Sequence, residues 1–444
     1  MNSASSKPAL NGIPAYLPQW PVFGAEEQDA VQRVLASGRV NYWTGDEGRS
    51  FEDEFAAFVG TRHALAVANG TLALELALLA FGIGPGDEVI TTPRTFIASA
   101  SAAVARGAQP VFADVDPDSG NLTAETVRAR ISDRTRAIIV VHLAGWPADM
   151  DPIMELADEH GLIVIEDCAQ AHGATYRGRQ VGSIGHAGAF SFCQDKIMTT
   201  GGEGGMVTLS DTAAWTRAWA YRDHGKDFDT VHTPPAEPGY RYLSHSFGSN
   251  WRLSELQSAI GRVQLRRLPQ WLAARTRNAR LLAAELAGID GLRIPLPDAQ
   301  ATHAFYKLYA YLDPAQLQPG WDRQRILAAA GEAGVPLFSG TGSELYRERA
   351  FEPFGPQPVL PVARELGESS LMFLVHPTLE QHHVLMMAQR FRAVLLQALS
   401  PAATRLGPEP QLQQHAQQRN DDDRAVGSGS EHDVAGWQRV TSTD

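Results

Sequence analysis

Between about residue 64 and residue 168 the chain alternates two hydrophobic periods. Short runs of buried-strand character (Ala64–Ala68, Glu88–Thr91, Pro110–Asp114, Ala137–Leu143 and Leu162–Asp167) are separated by segments with apolar residues at helical spacing (Leu72–Phe81, Ile97–Arg106, Thr123–Arg130 and Asp151–His160). The runs at 137–143 and 162–167 are continuously apolar rather than alternating, as in strands covered on both faces of a parallel sheet. The pattern predicts an α/β domain with a mainly parallel central sheet flanked by helices. Ahead of it lie two amphipathic helices, Ala25–Ser37 and Ser50–Val59. The second carries Phe51, Phe55 and Phe58 on one face, which reads as core packing.

The patterning changes at both ends. Pro8, Pro14 and Pro18 discourage helix in the first twenty residues, so residues 1–24 read as an extended arm. Helices are expected over Trp215–Asp223, Ser254–Leu268 and Leu272–Leu286. Beyond Gly288, a strand at Phe305–Leu312 and helices at Arg323–Gly331 and His383–Leu399 suggest a smaller α+β domain. After Pro401 the chain becomes polar and repetitive, which predicts disorder. The expected organisation is an arm (1–24), a large domain (25–270), a small C-terminal domain (271–400) and a disordered tail (401–444).

Composition narrows the class. The chain has 444 residues, is 44% hydrophobic and carries a formal net charge of −12, as expected of a soluble globular protein without affinity for nucleic acid or anionic membrane. Cys168 and Cys193 are its two cysteines, too few for a disulfide framework or a zinc pattern, which fits a reducing cytoplasm. The start, MNSASSKPALNG, lacks an apolar core, so no signal peptide is expected, and no apolar run is long enough to span a bilayer.

Candidate chemistry centres on residues 162–205. The apolar run ends in Glu166-Asp167; a second fragment, Ala189 to Phe192, leads to Lys196 and then to Gly201-Gly202-Glu203-Gly204-Gly205. A buried acid at a strand end and a lysine beside a glycine loop are the two fixed points of pyridoxal phosphate (PLP) chemistry. The acid holds the pyridinium nitrogen and the amine forms the Schiff base. Glu166 points to the opposite side of its strand and is not counted. The turn Asn69-Gly70-Thr71, between a strand and a helix start, offers backbone N–H groups and a hydroxyl to an anion, although such turns are also ordinary caps. Ser191 could place a hydroxyl on a phosphate, and Phe96 could stack on a ring; a strand serine and a core aromatic are the plain alternatives. His142, His172, His224 and His376 show no metal spacing and read as structural, and the two cysteines as small packing groups.

Asn69-Gly70-Thr71, Thr95-Phe96, EDCAQAHGA, FSFCQDK, TTGGEGGM and SNWRLSELQSAIGRVQL, in that order, resemble the DegT/StrS-type sugar aminotransferases, which are fold-type I PLP enzymes. The likeness runs from about residue 15 to residue 395. It implies that Lys196 is the Schiff-base lysine and proton carrier and that Asp167 pairs with the pyridinium nitrogen. It places Gln170 near the cofactor's phenolic oxygen, Gly70, Thr71 and Ser191 on the phosphate, and Phe96 on the ring. It also implies a homodimer with shared sites, in which Asn250 reaches the phosphate bound by the neighbouring subunit. Ser249 stands where the family usually has tyrosine, and Ile197 where asparagine often follows the lysine.

The expected function is therefore a cytoplasmic PLP-dependent aminotransferase, without a metal. It would move an amino group from an amino acid, by expectation glutamate, to a keto group of a nucleotide-linked sugar in polysaccharide or glycan synthesis. One alternative is amination of a carbocyclic ketone, of the aminocyclitol or aminohydroxybenzoate type, to which Ser249 also points. Another is a non-catalytic PLP-binding regulator, although no DNA-reading domain or basic stripe is visible.

Overall fold

The computed structural model describes residues 13–235 and 239–400; residues 1–12, 236–238 and 401–444, including the expected tail, lie outside the described residues. Helices α1 (Ala25–Ser37) and α2 (Glu47–Val59) precede strand β1 (His63–Val67) and helix α3 (Gly70–Ala80). The chain then passes through β2 (Glu88–Thr91), α4 (Ala98–Ala105), β3 (Gln109–Phe112), α5 (Ala124–Arg128), β4 (Thr135–Val141), α6 (Met150–His160) and β5 (Ile163–Asp167). A short hairpin, β6 (Thr175–Tyr176) and β7 (Arg179–Gln180), is followed by β8 (Ala187–Ser191), β9 (Gly205–Leu209), α7 (Thr212–Arg222), α8 (Phe228–His232) and α9 (Glu255–Glu285).

Seven strands form the principal sheet in the order β1-β9-β8-β5-β4-β2-β3. Every pairing from β8 to β3 is parallel. Strand β9 runs antiparallel to both neighbours, because the glycine loop after Lys196 turns the chain straight back beside β8. This strand escaped the sequence reading, which took the segment only as far as its glycines. The mainly parallel α/β sheet itself is as expected. Its order brings the carboxyl ends of β1, β8 and β5 close together, with the end of β2 two strands further on. Stretches more than a hundred residues apart thus share one edge, where open α/β sheets bind ligands.

Helices cover both faces of the sheet. Helix α3 is apolar on all sides and accordingly buried, with Leu74, Leu76 and Ala77 packed against β-strand residues Leu65, Ile165 and Val207. On the other face Phe51 and Phe55 pack as expected, against Phe190 and Phe192, with Phe58 at the margin.

Helix α9 revises one expectation. The two helices read over Ser254–Leu268 and Leu272–Leu286 are a single helix of 31 residues with Pro269 inside it. Proline removes one N–H and crowds one turn. Here Leu265 and Leu268 on one side of it, and Ala279 and Leu282 on the other, are buried in two different cores and hold the helix through. The second core surrounds an antiparallel sheet ordered β10 (Leu292–Arg293), β12 (Leu308–Leu312), β14 (Ser370–Phe373) and β13 (Leu337–Phe338). Strand β11 (Ala301–Thr302) pairs instead with β6. Helices α10 (Arg323–Glu332), α11 (Pro361–Ser369) and α12 (Gln381–Ala398) complete the described chain. Among the described residues no helix is long and apolar enough to cross a membrane.

Candidate active site

A cavity of about 890 Å³ lies at the shared strand edge. Seven of the eight residues singled out from the sequence line it: Gly70, Thr71, Phe96, Asp167, Gln170, Ser191 and Lys196. Asn250 does not. It is exposed, pairs through its backbone with Asp223, and lies close in sequence to the exposed Tyr240, Tyr242 and Phe247.

Asp167 is the last residue of β5 and is buried. Its Oδ2 accepts the Ser99 hydroxyl at 2.7 Å and its Oδ1 the Ala169 N–H at 3.1 Å. Burial pushes its carboxyl above the usual carboxylate range; the Ser99 and Ala169 hydrogen bonds and the charge of Lys196 oppose that shift without cancelling it. A buried carboxyl of this kind gains from meeting a cation. Ser99 is in turn 2.9 Å from the Thr95 hydroxyl, one helical turn away. Neither hydroxyl was singled out from the sequence, although the spacing of Thr95 and Ser99 puts both on one face of α4 and its lead-in.

Glu166 does face the other way, but it is far from idle. Fully buried, it accepts the N–H groups of Gly182 (2.9 Å), Ile184 (2.7 Å) and Gly185 (2.7 Å), and its Oε2 lies 3.0 Å from His142 Nε2. His142, Glu166 and Cys168 lie close enough together to suggest a metal. The four hydrogen bonds already occupy the carboxylate, and His142 Nδ1 accepts the Ala148 N–H at 3.0 Å, so the group reads as a clamp on the loop before β8. His172 is buried between Phe190 and Phe192, and burial brings its imidazole down to about 3, so it is neutral.

The anion turn is built by close approach. Asn69 Oδ1 accepts the Leu72 N–H at 2.9 Å and its carbonyl accepts that of Ala73 at 3.2 Å, which leaves the N–H groups of Gly70 and Thr71 without an acceptor in the helix. A Cβ on Gly70 would sit 2.5 Å from the Ser191 Cβ, so glycine is what allows the turn and the Ser191 hydroxyl to converge. Gly201 and Gly202 have φ of 90° and 125°, as the glycine loop requires. Gly205 approaches that turn's backbone closely, since a Cβ there would lie 2.3 Å from the Asn69 carbonyl oxygen. The loop thus presses on the anion turn.

Lys196 is half-buried, its carbonyl accepts the Trp20 indole N–H at 2.9 Å, and its Nζ lies 5.0 Å from the centre of the Tyr306 ring. Gln170 Oε1 accepts the Ala144 N–H at 2.8 Å, which fixes the carboxamide at the cavity wall. Phe96 is 67% exposed, a large apolar face left uncovered at the cavity. The far wall holds residues that sequence reasoning missed: Trp20, Asp195, Arg275, Tyr306 and Lys307. A lysine inside the apolar run Phe305–Leu312 was the available signal for Lys307.

Residues 21–392 match the DegT/DnrJ/EryC1/StrS aminotransferase family. GDP-perosamine synthase from Caulobacter vibrioides is 45% identical over 302 residues, 67% of this chain and 77% of that protein. The 3-amino-5-hydroxybenzoate synthase of Amycolatopsis mediterranei is 38% identical over 340 residues, 76% of this chain and 84% of that one. The solved structure of an aminotransferase from Psychrobacter cryohalolentis is 54% identical, covers 86% of this chain and 99% of its own, and superposes with a TM-score of 0.84.

Proposed function

The chain belongs to the DegT/DnrJ/EryC1/StrS aminotransferase family and is an aminotransferase, and on that premise we propose that it uses PLP to aminate a keto group on a nucleotide-linked sugar, with glutamate as donor. The observation that carries the cofactor is a single cavity faced by a buried acid, a lysine amine and an anion turn with open N–H groups. These residues fit PLP. Gly70, Thr71 and Ser191 would hold its phosphate, Asp167 its ring nitrogen, Gln170 its phenolic oxygen, Phe96 one ring face and Lys196 its carbonyl carbon. When bound, the cofactor supplies an electron sink beside the reacting carbon–nitrogen bond. The protein's own part is proton management and placement. Asp167, held by Ser99, keeps a proton or a positive charge at one end of the cavity. The Lys196 amine, half-buried at the cavity wall, would take up and return a proton beside the reacting carbon.

The sugar reading is supported by the 45% identity to an enzyme named for a GDP-linked sugar. A cyclic ketone is the second reading, favoured by the 38% identity to an aminohydroxybenzoate synthase and by Ser249, which stands where the family usually has tyrosine. We place the enzyme in the cytoplasm, in polysaccharide or glycan synthesis, as a homodimer. In that dimer Asn250 completes the phosphate site of the other copy. The exposed Tyr240 and Tyr242, whose ring centres lie 5.1 Å apart, support such an interface, since adjacent bare aromatics mark contact surfaces.

Assay of purified protein with glutamate or glutamine against a panel of nucleotide keto sugars and cyclic ketones tests the proposal. Turnover of a keto sugar at least about a hundredfold above the cyclic ketones supports it; the reverse preference selects the second reading. Spectral conversion of the cofactor to its amine form by the donor alone separates both from a protein that binds the cofactor without turnover.

A further inference from the structure

The residues ahead of α1 run from the C-terminal core to the loop that carries Lys196. Leu17 is buried in that core with Leu374 and Val375. The Gln19 carbonyl accepts the Thr378 hydroxyl at 3.0 Å. The Tyr16 hydroxyl donates to the Gly334 carbonyl and accepts from Arg390 Nη1 at 2.8 Å. Trp20 then reaches the cavity, where its indole N–H donates to the Lys196 carbonyl at 2.9 Å. Helix α9 braces the indole. Trp271 meets it edge-on, with 5.1 Å between ring centres, and the Arg275 guanidinium lies 5.1 Å from its ring centre. Trp271 and Arg275 are one helical turn apart, so a single face of α9 holds the indole.

We propose that Trp20 is a positioning residue for Lys196: its N–H fixes the peptide from which the lysine side chain swings. The inference rests on the aminotransferase reading of the cavity. A lysine amine ends a long flexible stem, so its reach is defined only where its backbone end is held. At Lys196 the peptides on both sides are held. Its N–H donates to the Cys193 carbonyl at 3.2 Å, which closes a turn, and its carbonyl meets Trp20. Beyond it the chain is anchored, since Ile197 and Met198 are fully buried and the Thr199 N–H donates to Gln264 Oε1 at 2.9 Å. Ahead of it the chain is looser, with Cys193 half-buried and Gln194 and Asp195 exposed. The bond from Trp20 ties this looser side to a separate element. The amine end refers to the same turn of α9. Arg275 Nη1 donates to the Phe305 (3.3 Å) and Tyr306 (3.2 Å) carbonyls, and Lys196 Nζ lies 5.0 Å from the centre of the Tyr306 ring. Arg275 therefore touches both the indole that holds the pivot and the backbone behind the ring that faces the amine. Packing alone would accept any aromatic at position 20; holding the carbonyl requires the indole N–H.

The test compares Trp20→Phe, which keeps a ring and removes the N–H, with Trp271→Phe, which alters the neighbouring indole and leaves the bond to Lys196 in place. In protein without cofactor, hydrogen–deuterium exchange of the peptide spanning residues 193–199 should quicken by about fivefold or more in Trp20→Phe and stay at the wild-type rate in Trp271→Phe. In protein loaded with PLP, the limiting rate of the half-reaction with glutamate should fall by about fivefold or more in Trp20→Phe alone. PLP affinity and the half-saturating glutamate concentration should stay within about threefold of wild type. Benzothienylalanine at position 20, which keeps the indole shape and puts sulfur in place of the N–H, should reproduce both effects, and it carries the test should Trp20→Phe fail to fold. Wild-type exchange or a wild-type limiting rate in these position-20 variants overturns the proposal. An equal fall in Trp20→Phe and Trp271→Phe also overturns it, because ring packing would then be the cause. The near-visible absorbance of the loaded samples reads the parent assignment separately. Its absence in wild type removes the cofactor reading and this role with it, whereas its presence with Trp20→Phe behaving as wild type overturns the positioning role alone.

Discussion

The Ser99 hydroxyl donates to Asp167 Oδ2 at 2.7 Å, and this contact sets the state of the acid on which the proposed cofactor electronics depend. Asp167 stands at the end of a buried strand, where burial alone favours its protonated form. Ser99 is the strongest protein group opposing that shift, ahead of the Ala169 N–H. Ser99→Ala should leave the cofactor bound but slow the half-reaction with donor by about tenfold, with Ser99→Thr recovering most of the rate. Stopped-flow absorbance in the cofactor band measures both.

Asp167→Asn separates stability from chemistry. A carboxyl whose pKa is raised on folding holds its proton more tightly in the folded chain, so its contribution is present at low pH and is lost as pH rises through the folded value. Without cofactor, Asp167→Asn should therefore melt at the same temperature as wild type or higher at pH 8. With cofactor and donor, its half-reaction should fall by about a hundredfold or more, because a neutral amide no longer favours the protonated ring. Melting curves and single-turnover spectra on the same preparation decide the matter.

Three buried histidines predict acid lability. Burial brings His172, His303 and His376 each down to about 3. They stay neutral in the folded chain while the unfolded chain protonates them below about 6.5. Their stabilisation is complete above that value and is lost as pH falls toward 3, at up to about 1.4 kcal/mol per pH unit for each. Thermal melts at pH 7.5 and pH 5 should show the loss. His172→Phe, placed between Phe190 and Phe192, should make the decline shallower by roughly one residue's share.

Glycine at position 70 should be indispensable to the anion turn. An alanine Cβ there would meet the Ser191 Cβ at 2.5 Å and the Ser191 Cα at 3.1 Å, backbone included, so the turn and the end of β8 must part. Overpacking of this kind costs about 1–3 kcal/mol, and cofactor affinity should fall about tenfold or more. Gly331→Ala, in α10 with open space around the added methyl, is the control and should leave binding unchanged. Equilibrium dialysis against PLP provides the comparison.

Much of this was legible in the sequence, and the limits have physical causes. Asp167 stood out because four apolar residues precede it, which makes a solvent-facing acid there improbable. Lys196 stood out because glycines follow it. Ser99 was hidden because its role depends on β2 and β5 lying two places apart in the sheet, an order that no local pattern encodes. Arg275 and Lys307 were hidden for a related reason. One sits on a helix that was read as two separate helices, the other in a strand read only for its apolar residues, and their meeting with Lys196 is wholly tertiary. Glu166 was rightly kept out of the cavity, but strand alternation gave no hint of the three N–H groups that converge on it.

The most direct test of the central claim is to locate the cofactor's bond to the protein. Two lysines, Lys196 and Lys307, face the cavity, so the question has a real alternative. The holoenzyme is reduced with borohydride, digested, and mapped by mass spectrometry. The account predicts the cofactor on the peptide carrying Lys196, and its loss in Lys196→Ala. A reduced adduct on Lys307, or one that persists in folded Lys196→Ala protein, would contradict it.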